Sequence, residues 1–253
     1  MAQQGTRLTV PVIVATAIDL ADSDGLDAVS MRRIADTIGV GVMSLYRHVA
    51  DKDALLRAMA DEIGRRFPYP VDSAPPWRER VAIAVDIDWG LYLQHPWVVL
   101  AYAAPRYAWG ADTLAGLNWL AEGFTELGVD AVTATRMGLM VWSYVDGIAL
   151  EAVADEVLGA GSATDLAGGL ADIVAGRVAA DLSHLPVLAA LAGRATGDAG
   201  ASAATGDAGA SAATGGAGAS AALDPRSLMD PRSLLDAGVE YLCAGFAAAA
   251  AGR

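Results

Sequence analysis

The sequence predicts an all-α protein in two parts: an N-terminal three-helix domain built on a helix-turn-helix and a larger C-terminal helical domain. Three observations predict it. Apolar residues recur at three- and four-residue spacing through most of the chain, with little strand-like alternation. The block SMRRIADTIGVGVMSLYRHVADKDALL, residues 30–56, reads as two short helices about a tight turn, followed by a capped third. A chain of 253 residues that is 54% apolar can build a small domain and a sizeable second core.

The first helix is expected over 8–23, where Val10, Ile13, Val14, Ala17, Leu20 and Ala21 form a stripe at helical spacing and Gly25 ends it. Ser30 is a suitable N-cap for the next helix, because its hydroxyl can accept from an orphan backbone N–H. Ile34, Ala35 and Ile38 make that helix's apolar face, and Ala35 is small where two helices cross steeply. Gly39 follows at once, where a left-handed backbone costs glycine least. Val40 and Leu45 are apolar where a second short helix, 41–48, docks back. Asp51 then caps a long fourth helix to Phe67, with Asp53 near its positive end. That helix buries Leu56, Met59, Ala60, Ile63 and Phe67 and stops at Pro68 and Pro70.

Two helices so joined place the second in the major groove of DNA. On 41–48, Ser44, Tyr46 and His48 can reach phosphates or base edges, Val42 and Met43 can touch thymine methyls, and Arg47 offers a charge-assisted contact. Arg32 and Arg33 on the preceding helix lie near the backbone. The plain alternative is a helix hairpin with a solvated charged face. Cap, alanine, glycine and aromatic-basic face all agree on the DNA-binding reading.

Residues 8–68 resemble the N-terminal domain of the TetR family of transcriptional regulators. The resemblance rests on VIVATAIDLADSDGLDAVSMRRIA, the turn IGV and SLYRHVADKDALL. It implies that Tyr46 and His48 contact the DNA backbone, that Lys52 contacts a phosphate from the start of the fourth helix, and that Arg32 and Ser44 contribute to recognition. It also implies that the fourth helix links two domains and is the moving part of a switch. Val42 and Met43 stand where some relatives carry polar base readers, so operator sequence does not transfer.

A net charge of −13 is unusual for a DNA binder, but it is unevenly placed. Residues 1–67 hold eight Lys/Arg and nine Asp/Glu, leaving −1 there and −12 beyond. Between residues 30 and 50, three arginines face one acid, Asp36. The chain's only lysine, Lys52, adjoins this patch. Such a distribution suits specific binding with weak non-specific binding.

The remainder, 69–253, is expected to bind ligand and to dimerise. Helices are expected over 75–94, 97–103, 109–127, 130–157, 165–182 and 231–250. The nonapeptide ATGDAGASA at 195–203 recurs at 204–212 and, as ATGGAGASA, at 213–221. Such small-residue sequence cannot offset its ordering entropy by burial and reads as a flexible low-complexity loop over about 194–223. No lysine follows and no strand precedes it, so it does not read as a phosphate loop. DPRSLM and DPRSLL duplicate at 224–235 and mark the start of the last helix. There Leu235, Gly238, Leu242, Gly245 and Ala249 form a side that a second helix could approach closely. The resemblance implies a homodimer through helices 130–157 and 231–250, acting on a palindromic operator.

All six tryptophans lie beyond the DNA-binding domain. Trp89, Tyr92, Trp97, Tyr102, Trp119 and Tyr144, with Met137, Met140 and Asn118, are the candidate lining of an aromatic or apolar ligand pocket, and His95 and Asp146 are further polar anchors. Packing in an ordinary core is the competing role for each aromatic. Cys243 is the single cysteine, which excludes an intramolecular disulfide and a cysteine metal cluster. No HExxH, GxSxG or CxxC motif is present, and Asp86 and Asp88 fall on different helix faces. No enzyme activity, cofactor or metal is expected. With no signal segment and no uninterrupted bilayer-length apolar run, a cytoplasmic location is expected. The sequence thus points to a ligand-responsive homodimeric repressor of operator DNA. The alternatives are a regulator without a small ligand, an activator, or a dimeric helical adaptor.

Overall fold

A computed structural model of the chain describes residues 7–158, 187 and 230–252. The helix expected over 165–182 and the nonapeptide repeat lie outside these residues. Residues 1–161 and 238–253 pack as one unit, and residues 162–237 belong to a second. Among the described residues every regular element is helical.

Helix α1, Val10–Asp24, opens on Thr9, whose hydroxyl accepts from Val12 N at 3.4 Å. Pro11 occupies its first turn, where no N–H is needed. A single 3₁₀ turn, Leu26–Ala28, leads to α2, Met31–Ile38, and α3, Val42–Leu45. Helix α4, Lys52–Arg66, carries Arg65 and Arg66 in its last turn, where cations suit the helix dipole. Ile13, Ala17, Ile18, Ile34, Ala35, Leu45, Leu55, Met59 and Ile63 are fully buried and form the core of these four helices.

The chain continues through α5 (Trp77–Gln94), α6 (Val98–Tyr102), α7 (Pro105–Ala108), α8 (Ala111–Phe124), α9 (Ala131–Ala152) and α10 (Ala154–Leu158). A last helix, α11, covers Pro231–Ala251. Beyond α4, two elements differ from expectation. Pro105 opens the one-turn helix α7 instead of merely ending α6, because a proline is well suited to a first helical position. The run expected over 130–157 divides at Val153, whose backbone (φ −108°, ψ 14°) leaves the helical region.

Helices α5, α8 and α9 form the main bundle, and α8 and α9 have the most extensive mutual packing. Arg80 is buried within it: Nη1 donates to Trp119 O at 2.6 Å, Nε donates to Pro75 O at 3.0 Å, and the guanidinium lies over the Trp119 ring. Helix α11 joins the bundle through Phe246, edge-on to Phe124 at 5.3 Å, and through Glu240, 3.8 Å from Arg78. Gly238 lies against Tyr144 of α9 so closely that a Cβ there would overlap the hydroxyl. Of the five residues expected to share one side of α11, Gly245 and Ala249 are exposed while Leu235 is buried. By length and composition α11 could cross a membrane, with a mean hydropathy of 1.4. Its alanine-rich end outweighs Asp236 and Glu240 in that average.

Candidate functional site

Helices α2 and α3 build the first site. Ser30 Oγ accepts from Arg33 N at 3.2 Å and starts α2. Gly39 adopts φ 81°, ψ 36°, the left-handed conformation that favours glycine. The amides of Gly39 and Val40 both donate to Ala35 O, at 2.9 and 3.0 Å, which closes α2 and turns the chain toward α3. Leu45 then inserts fully into the core and fixes the roll of α3. With Leu45 inward, Met43, Tyr46, Arg47 and His48 are exposed, and Val42 and Ser44 are half-buried at the edge. The regular part of α3 ends at Leu45, and residues 46–48 continue as a turn.

The basic residues are not equally free. Arg32 is almost fully exposed and lies 3.9 Å from Asp36, a separation worth little in water. Arg33 is paired with Asp24 at the end of α1, which holds it along the protein surface. Arg47 Nη2 donates to Ser44 Oγ at 3.0 Å across the exposed face. Lys52 is exposed at the first position of α4, next to the capping Asp51, whose Oδ1 accepts from Ala54 N at 2.7 Å.

A second site lies at the other end of α4. A cavity of about 310 Å³ is lined by Gly64 and Phe67 of the α4 region, Tyr69 of the segment that follows, Asp88 and Tyr92 of α5, Tyr102, Trp109, and Trp142 and Asp146 of α9. Two polar chains run through its wall. Trp142 Nε1 donates to Tyr69 Oη at 2.8 Å, and that hydroxyl donates to Asp88 Oδ2 at 2.6 Å. Tyr92 Oη donates to Asp146 Oδ1 at 2.5 Å. Burial pushes the Asp88 carboxyl up to about 7, against the opposing hydrogen bond from Tyr69, and nearby Asp146 adds to the rise. Burial also raises Asp146.

Three polar ties connect the two ends. Tyr102, which lines the cavity, donates to Ala60 O on α4 at 3.3 Å. Tyr107 of α7 donates to Asp53 Oδ1 at 2.6 Å, and this bond holds the Asp53 carboxyl below its usual range. Asp22 of α1 accepts from Trp97 Nε1 at 2.7 Å and faces His95 Nδ1 at 2.8 Å, so that ring nitrogen carries the proton.

Residues 13–59, the whole helix-turn-helix block, match the model of bacterial regulatory proteins of the tetR family. The helix-turn-helix block is that of the TetR family. The chain is similar to the HTH-type transcriptional repressor DrrR1 of Streptomyces coeruleorubidus, 32% identical over 143 residues, which is 56% of this chain and 53% of that protein. The chain therefore spans about half the length of the curated relatives it matches. Apo ActR of Streptomyces coelicolor superposes with a TM-score of 0.70 at 25% identity, covering 99% of each chain. ActR in complex with (S)-DNPA superposes at 0.66, also at 25% identity, covering 96% of this chain and 99% of that one. These relatives are transcriptional regulators, and the two-part all-α architecture is that of TetR-family proteins.

Within this chain, the nine residues expected at DNA share the α2–α4 end of the molecule. The nine expected at ligand do not share a cavity. Tyr92 and Tyr102 line it. Trp97 and Trp119 are buried core, their ring nitrogens held by Asp22 and by Ser73 O at 2.7 Å. Trp89 and Met137 lie outside its wall, and Asn118 is exposed, donating to Glu122 at 2.8 Å. Met140 and Tyr144 border a separate shallow groove with Leu242 and Arg136. Of the further polar anchors, Asp146 lines the cavity, whereas His95 faces α1. Sequence reasoning missed Tyr69, Asp88, Trp109 and Trp142 as a set. Asp88 was visible as an acid within an apolar helix, but nothing local showed that a cavity faced it. Cys243 is buried, and burial pushes its thiol up, as for a core residue.

Proposed function

We propose that this chain is a homodimeric TetR-family repressor that holds a two-fold operator through Arg32, Arg33, Val42, Met43, Ser44, Tyr46, Arg47, His48 and Lys52 and releases it when a small aromatic ligand fills the cavity. The observation that carries this reading is the double duty of α4. Its first residue is Lys52, beside the DNA-facing segment, and its last turn contributes Gly64 to the cavity, with Phe67 just beyond. A ligand that displaces Tyr102 or Phe67 acts on the helix that positions Lys52, so the two occupancies favour different placements of α4. A division near residue 68 separates these roles.

Several features support the parts. The cavity is in the size range of small-molecule sites, and aromatic side chains such as Phe67, Trp109 and Trp142 form part of its wall. ActR, a relative of the same fold, forms a complex with (S)-DNPA, and DrrR1 is a transcriptional repressor. Helices α9 and α11 leave Val132, Met140, Leu150 and Tyr241 exposed, together with Gly245 and Ala249. An apolar surface of that kind suits a two-fold four-helix contact with a second copy. The dimer supplies the second recognition segment that a short α3 needs.

The test is a gel shift with the DNA flanking the chain's own gene. A retarded band is expected, lost at roughly tenfold lower affinity or worse in Tyr46→Ala. Cross-linking should give a dimer. If wild type shifts no fragment, or if Tyr46→Ala binds as wild type does, the assignment of residues 41–48 to DNA is wrong.

A further inference from the structure

The effector cavity has a charge character that narrows its ligand. Its lining includes three aspartates, Asp88, Asp112 and Asp146, and no lysine, arginine or histidine. Asp88 and Asp146 stand on neighbouring helices, α5 and α9; Asp146 raises the electrostatic cost of ionising Asp88 and Tyr69, and Asp88 raises that of Tyr92, the partner of Asp146. Each has one oxygen occupied by a tyrosine hydroxyl, Tyr69 for Asp88 and Tyr92 for Asp146. No donor among the described residues occupies the other oxygen of either.

From this, and resting on the reading of the cavity as the effector site, we infer that the effector is an aromatic compound bearing a protonated amine, with its ammonium placed between Asp88 and Asp146. Three arguments support that class over a neutral or anionic one. An anion would enter a poorly solvated space already holding carboxylates, where like-charge repulsion is least screened. A neutral ligand would displace water from the two free carboxylate oxygens and return no donor of comparable strength. An ammonium supplies several donors, and its hydrogen bonds to carboxylate are charge-assisted. The walls fit the same guest. Tyr69 meets Trp142 edge-on at 6.4 Å, and Tyr92 meets Tyr102 edge-on at 6.5 Å, so electron-rich ring faces adjoin both acids. Such faces attract a cation and also stack on the ligand's own rings. The tyrosine hydroxyls fix the carboxylates in place before the ligand arrives, which limits the ordering cost of binding. The Asp88 carboxyl, pushed up by burial, is the group a bound cation draws back toward its ionised form.

The full-length protein is titrated by calorimetry with three probes that share one ring system: 9-(aminomethyl)anthracene, 9-anthracenemethanol and 9-anthracenecarboxylate. The amine, protonated at neutral pH, is expected to bind roughly tenfold or more tightly than the alcohol, with the carboxylate weakest. In Asp88→Asn/Asp146→Asn the affinity for the amine is expected to fall to that for the alcohol. The amides retain the shape and an acceptor for each tyrosine, so this variant changes charge before fold. If the alcohol or the carboxylate binds wild type as tightly as the amine, or if the amine's advantage survives the double substitution, the cation-binding inference is overturned while the cavity remains an effector site. If none of the three binds, the effector-site reading falls, and the inference falls with it.

Discussion

The helix-turn-helix and the cavity are built on opposite plans. The DNA-facing segment is assembled from 23 consecutive residues, 30–52, and each geometric decision in it is local. Ser30 starts a helix, Gly39 turns the chain, Leu45 anchors the next turn, and Asp51 starts another helix. The cavity draws on residues from 64 to 146, and no two of its key polar groups are sequence neighbours: Tyr69 meets Asp88, Tyr92 meets Asp146, and Trp142 meets Tyr69. A site made locally can keep its backbone geometry while its surface residues change. A site made by helix packing changes shape whenever the helices shift, and α4 shares in both. The contrast suits the proposed pairing of a reader of one fixed shape, DNA, with a ligand-responsive cavity.

The largest effect that breaks this comparison comes from Leu45. Its side chain is fully buried and is the only completely buried residue of α3. Leu45→Ala should cost about 3 kcal/mol through lost burial and the residual void. Because the four N-terminal helices share this core, urea unfolding followed by circular dichroism should show the midpoint lowered. DNA binding should fall with it, and calorimetric binding of the aminomethylanthracene probe should fall less. Equal loss at both sites would mean that the two regions unfold as one and that the local plan has no independence.

This difference in plan also explains what was legible in the sequence. Ser30, Gly39 and Asp51 perform the capping and turning roles their residue types suggest, because a cap or a turn needs partners only three or four residues away. Helix α4 was readable for the same reason. The aromatic residues were not sorted by the same means. Trp97 and Trp119 look no different in sequence from Trp109 and Trp142, yet the first pair is buried with its ring nitrogens held by Asp22 and Ser73, and the second pair lines the cavity. What separates them is which helix lies opposite, and a stripe at helical spacing carries no record of that. The ties from Asp22, Tyr102 and Tyr107 between the two regions were illegible too, since each spans more than 40 residues.

A smaller effect concerns Asp88, whose carboxyl is pushed up to about 7 by burial. The folded pKa is raised above the unfolded value, so the native state keeps a proton that the unfolded chain has lost. Stability is therefore unpenalised below the ordinary carboxylate value of 3.8, declines as pH rises from there, and reaches its full deficit above about 7. The groups facing this carboxyl are Tyr69, Tyr92, Tyr102 and Asp146, none of them basic. Asp88→Asn removes the ionisation and leaves an acceptor for Tyr69. It should stabilise the ligand-free protein by about 2 kcal/mol at pH 8 and by nearly nothing at pH 4. Thermal unfolding at the two pH values measures this. A gain of the same size at both would assign the effect to packing and would make the cavity no more than an ordinary apolar core.

The smallest effect sharpens the comparison at its seam. Asp22 on α1 is the acceptor for Trp97 Nε1 and for His95 Nδ1, both from the segment that follows α5. His95 Nε2 is buried without a partner among the described residues, so the Asp22 contact is the one polar anchor of that ring. Asp22→Ala should cost about 1 kcal/mol of stability, the scale of losing a hydrogen bond on a partly exposed acceptor. Operator affinity without ligand should change little, since no DNA-facing residue is touched. Release should change more: the anthracene amine should need a higher concentration to free the same operator fragment, because α1 no longer follows the helices that surround the cavity. Fluorescence anisotropy of labelled operator, titrated with the amine against wild type and Asp22→Ala, reads this directly. An unchanged release curve would place all the coupling in α4, through Tyr102 and Tyr107, and leave Asp22 with a structural role alone.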